Sequence, residues 1–185
     1  RGVSDAVALM DDAVSRKEQQ ARAAIDMMQG HKAIISARVD EVNLVEAAIQ
    51  GGAKKIVFGG DRLCRLSYSN EIYQEVVNLC HNHKVWITLS TSRVVKESEV
   101  EGYTDTLSAM VAAQPAAIAI HTPGNVIELR ELGYQGVLEA DTALNIFNSH
   151  SARFWEHQGV ASITPSQECT LQQLGKIVKE CKVPI

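Results

Sequence analysis

Short apolar runs recur along this chain, each ending in small or polar residues and each followed by a helical pattern. They occupy residues 33–38, 56–60, 85–91, 117–121, 136–141 and 161–164. Nearly continuous apolar strands predict a sheet covered on both faces, and regular alternation with helices predicts parallel pairing. In parallel sheets chemistry gathers where strands end and the next loop begins. The polar residues at those ends are therefore the first candidates for function.

The pattern predicts an α/β chain: an incomplete TIM-like (β/α) barrel of about six to seven parallel strands, preceded by a long helix. Lys182-Val183-Pro184-Ile185 reads as the start of the seventh strand. Residues 1–30 form the amphipathic helix or linker, with Val3, Val7, Met10 and Val14 on one stripe, and residues 31–185 form the truncated barrel. A doubly wound sheet would place a glycine-rich loop after the first strand. Here Arg38-Val39-Asp40-Glu41 follows instead. The chain starts at Arg1 and stops inside an apolar segment, which reads as an excerpt of something longer.

A net charge of −4 gives no basic field, so electrostatic capture of nucleic acid by this segment alone is not expected. No apolar run approaches the ~20 residues that cross a bilayer, and the expected compartment is cytoplasmic. The four cysteines, Cys64, Cys80, Cys169 and Cys181, form no close CxxC pair and read as free thiols rather than a metal site. Cys80, His81 and His83 cluster at a helix end, where histidine is favoured by the macrodipole without any metal.

The candidate rim follows from strand ends. Gly59 and Gly60 could admit a ligand close to the backbone, or simply turn the chain. Asp61, Arg62 and Arg65 follow, and with Arg38 the arginines could clamp a carboxylate or phosphate. Thr88 lies in the third strand, and His121 ends the fourth before a helix start, as a general acid or base would. Alternation sends Glu139 and Asp141 to one side of the fifth strand. Asn145 and Asn148 follow in its loop, Asn148 also reading as a helix cap, and Glu168 follows the sixth. No GxSxG or HExxH sequence occurs, so no local protease signature is present.

The blocks at residues 46–60, 86–91, 122–124, 140–149 and 152–155 resemble, in order and spacing, the collagenase-like peptidase family U32. The Asp141-Thr142-Ala143-Leu144-Asn145-Ile146-Phe147-Asn148 block is similar to the second copy of the domain in long members. The resemblance implies a TIM-like barrel and a peptide substrate handled by a hydrolase. It also implies an alternative, since some members act in hydroxylation of transfer or ribosomal RNA and hold an iron–sulfur cluster through four cysteines. Those cysteines lie beyond this segment, so no cofactor is expected within it, and the cluster would belong to a full-length protein. A third reading is a non-catalytic scaffold half-barrel. Partners implied are other domains of the same chain, and a second copy through the open barrel edge. Matching rim positions are Gly59, Gly60, Thr88, Asn145, Asn148 and Glu168, whereas Ser90, Ala143 and His121 depart from the family pattern.

Overall fold

The computed structural model of the chain describes residues 34–60 and 68–185. The helix expected within residues 1–30, and Asp61, Arg62, Cys64 and Arg65, lie outside the described residues. Among the described residues, strands and α-helices alternate: β1 (Ser36–Val39), α1 (Val42–Gln50), β2 (Lys55–Phe58), α2 (Asn70–Asn82), β3 (Trp86–Ser90), α3 (Val100–Ala112), β4 (Ala117–Ile120), α4 (Gly124–Glu131), β5 (Val137–Ala140), α5 (Ser149–His157), β6 (Ser162–Ile163) and α6 (Leu171–Glu180). Short 3-10 turns at Glu97–Glu99 and Thr142–Leu144 lead into α3 and α5. No described helix is long and apolar enough to cross a membrane.

All strand pairings are parallel, and the sheet order β1-β2-β3-β4-β5-β6 follows the chain. A doubly wound sheet reverses its order at a switch point. This one does not, and it curls. In a flat sheet β1 and β5 would stand about 19 Å apart, at ~4.8 Å per strand. Yet the Arg38 guanidinium of β1 binds the carboxylate of Asp141, at the end of β5. Two side chains cannot bridge a flat sheet of that width, so the strands wrap around a concave face.

The register gives the pitch of that wrap. Stepping across the hydrogen-bonded partners from Arg38 leads through Val57, Thr88 and Ala117 to Val137. Arg38 instead meets Ser90, two residues beyond Thr88 after two steps, and Asp141, four beyond Val137 after four. One residue of stagger per strand is the shear of an eight-stranded barrel with strands tilted about 36°. The expected TIM-like half-barrel is what forms.

The two faces differ. Ile56, Phe58, Ile87, Leu89, Ile118, Ile120, Leu138 and Ile163 join Val45, Val76, Leu107, Met110 and Leu129 of the helices in one buried cluster. Each such aliphatic side chain stabilises the fold by about 1.5–3 kcal/mol. The alternate positions carry Ser36, Arg38, Lys55, Thr88, Ser90, Glu139 and Asp141. The helix side is covered as the apolar runs predict; the concave side is mixed, with charged residues of β1, β2 and β5 beside Val57, Ala117 and Ala119.

Local signals set the ends of the helices. Asn148 caps α5 by accepting from Ser151 N at 2.9 Å. Thr170 and Gln173 form the reciprocal box that starts α6. Gly52 follows α1 at φ +93°, a conformation that glycine adopts without strain. At the start of α4 Pro123 holds the cap position without a side-chain bond, and Asn125 reaches back to the preceding amides. Residues 182–185 form no strand, but Ile163 N donates to Pro184 O at 2.9 Å on the side of β6 away from β5.

Candidate functional site

Two ion-pair rungs cross the concave face. In the upper rung Arg38 Nη2 donates to Asp141 Oδ2, and Arg38 Nη1 donates to Ser90 Oγ at 3.2 Å. In the lower rung Lys55 Nζ donates to Glu139 Oε2 at 2.7 Å, and Thr88 Oγ1 donates to the same oxygen at 3.1 Å. Trp86 lies one step further toward the strand N-termini, its indole N–H directed to Thr88 Oγ1 at 3.2 Å. A cavity of about 340 Å³ opens between the rungs, lined among others by Ser36, Arg38, Lys55, Glu139, Asp141 and Thr164.

Asp141 is the hub of the upper rung. Its Oδ1 accepts from Thr142 N at 2.5 Å and Thr142 Oγ1 at 3.0 Å. Burial pushes the carboxyl up, but the Arg38 guanidinium, His121 and the Thr142 amide outweigh it and hold the carboxyl below its ordinary range. His121 is buried; its Nε2 lies 3.5 Å from Asp141 Oδ2 and its Nδ1 lies 3.2 Å from Thr91 Oγ1. Thr91 Oγ1 donates to Asn125 Oδ1 at 3.0 Å, and that oxygen also accepts from His121 N and Thr122 N, each at 3.2 Å. Asn125 Nδ2 donates to Tyr103 Oη at 2.7 Å and Glu128 Oε2 at 3.1 Å.

Thr91, His121 and Asp141 thus stand in the order of hydroxyl, imidazole and carboxylate found in hydrolytic triads. The geometry assigns them another task. Thr91 is 1% exposed and faces Asn125, and neither Thr91 nor His121 lines the cavity. Both ring nitrogens of His121 face protein groups, so it positions Asp141 rather than touching a bound molecule.

The structure brings Arg38, Thr88, His121 and Asp141 of the expected rim together. Gly59 and Gly60, at φ +85° and +89°, stand at the upper end of β2. A Cβ at Gly60 would meet Ser90 Oγ and lie 2.7 Å from Ser90 Cβ, so this glycine lets the loop close over the serine that holds Arg38. The others have local roles. Asn145 adopts the left-handed region at φ 51°, ending the 3-10 turn, and Asn148 is the α5 cap. Glu168 is exposed, its amide donating to Ser166 Oγ at 3.4 Å. Sequence reading missed Lys55, Thr91 and Asn125. Lys55 shared its face with Val57 by simple alternation and could have been found so; Thr91 and Asn125 carry no such signal.

Each described thiol has its own local setting. Cys80 is buried in the core, its thiol pushed up to about 11 by burial. Cys169 Sγ faces Ile146 O and Cys181 Sγ faces Glu156 Oε2. Among the described residues no three His, Cys, Asp or Glu side chains are grouped to hold a metal.

Comparison with known proteins agrees with this architecture. The family model described as Peptidase family U32 matches residues 40–185. No curated protein matches by sequence. Among solved structures, the U32 peptidase Mk0906 superposes with a TM-score of 0.59 at 12% identity, over 83% of this chain and 68% of that one. A thiamine phosphate pyrophosphorylase from Pyrococcus furiosus gives 0.57 at 16% identity, over 80% and 70%. A dipeptide epimerase from Enterococcus faecalis V583 gives 0.52 at 13%, over 80% and 45%. At these identities the likeness is one of fold.

Proposed function

Because this chain belongs to peptidase family U32, we propose that its concave face is the substrate-binding surface of a peptide-handling enzyme. Arg38 is the group that meets the peptide, through a carbonyl or carboxylate oxygen. Asp141 and Ser90 fix the guanidinium plane, and His121, itself held by Thr91, backs Asp141. The observation that carries this reading is the anchored Arg38, lining a concave cavity that Asp141 and Thr164 border just past the carboxyl ends of their strands, the end where ligands of such folds bind. A guanidinium already held in one orientation loses less freedom when a ligand arrives.

The reading is one of binding and orientation. The test is fluorescence anisotropy with a labelled gelatin-derived peptide and the whole protein. Arg38→Ala should weaken binding by about tenfold to a hundredfold, the worth of a charge-assisted hydrogen bond. Unchanged affinity in a variant that retains its circular dichroism spectrum would remove the proposal.

A further inference from the structure

The two rungs are asymmetric, and the asymmetry selects a charge. In the upper rung the Arg38 side chain is 35% exposed while its partner Asp141 is 6% exposed. In the lower rung Lys55 is 22% exposed and Glu139 is 13% exposed. Both carboxylates are set back and hold further donors, Thr142 for Asp141 and Thr88 for Glu139. The cations stand forward. All four side chains line the same cavity, each cation beside its more buried carboxylate. Lys55 is paired in register with Ser36, two residues before Arg38, so the two Cα atoms lie about 8 Å apart by strand geometry. Their long side chains can converge on one small anion.

We infer that Arg38 and Lys55 together bind the C-terminal carboxylate of a peptide, a preference that rests on the peptide-binding reading above and goes beyond it. Two observations favour a chain end over a passing chain. A cavity of about 340 Å³ is near the lower limit for ligand pockets, enough for a terminal fragment. Trp86, whose indole turns back along β3 toward Thr88, adds a large side chain on the strand-N-terminal side of the lower rung. A carboxylate also offers two charged oxygens, one for each cation, where a backbone carbonyl offers one neutral oxygen.

The experiment compares two fluorescein-labelled hexapeptides of one sequence, one with a free C-terminal carboxylate and one with a carboxamide, on the whole protein. The free acid should bind at least tenfold more tightly, and the ratio should fall as sodium chloride is raised. Lys55→Gln should bring the ratio close to one. Glu139→Gln should raise the affinity of the free acid, because it removes the negative charge that offsets Lys55, even as it lowers thermal stability. Damage to the fold alone would weaken binding in both variants, so opposite directions identify the charge effect. Equal affinities for acid and amide in the unmodified protein would overturn this inference and leave peptide binding standing. If neither peptide binds, both fall.

Discussion

At the scale of single residues, Asp141 is the side chain whose loss is felt furthest. Asp141→Asn removes the charge that anchors Arg38, and because Arg38 is partly exposed the cost at neutral pH should be about 1–2 kcal/mol. The pH dependence has a definite sign. A carboxyl held below its ordinary range contributes stability that is complete above its unfolded value, near ~3.9, and is lost as pH falls through the folded value. Urea unfolding should therefore show a constant gap between Asp141→Asn and the unmodified protein from pH 7 to about 5. The gap should shrink only at lower pH. Gly60 sets a second expectation. Gly60→Ala places a side chain at φ +89° and against Ser90, costing about 1–2 kcal/mol for the backbone conformation before any clash. Thermal melts should give a smaller penalty in a Ser90→Gly background, because one of the two obstacles is then gone.

At the scale of elements, the contrast between two asparagines separates an exposed cap from a buried joint. Asn148 is exposed and caps α5 with one bond, so Asn148→Ala should cost about 1 kcal/mol. Asn125 is buried and is the acceptor for the amides of His121 and Thr122. Asn125→Leu leaves two amides without that acceptor and should cost more, about 2–4 kcal/mol, in the same denaturant assay. The first of these roles is legible in the sequence, because an asparagine before a helical run has a local meaning. So are the Thr170–Gln173 box and the stop at Gly51-Gly52. The second is not, because Asn125 sits inside the first turn of α4 and binds backward to the strand end and across to Tyr103 on α3, besides Glu128 on its own helix. Strand composition misled in one respect. Apolar runs do not show how charge is placed across the sheet: β4 is apolar on both faces, with small alanines on the concave side, whereas β1, β2 and β5 bring Arg38, Lys55 and Glu139 to that side.

At the scale of the whole described unit, the contacts of Arg38 with β3 and β5 are a statement about curvature. A double-mutant cycle on Arg38 and Asp141 should give a coupling of about 0.5–2 kcal/mol. Side chains four strands apart in a flat sheet would instead be additive within about 0.5 kcal/mol. The chain order of the strands is legible from regular spacing alone, since each run leads through one helix to the next. The stagger of one residue per strand is not, because it depends on how strands tilt, and tilt leaves no mark in local composition. That stagger is what carries Asp141 level with Arg38, and it explains why the candidate arginine found its partner on β5 rather than on its nearest neighbour. The same arrangement has a kinetic corollary. On the proposed reading an arriving anion joins cations that already hold a resident carboxylate, so its attraction is offset in part and it should leave sooner than from a bare pair of charges.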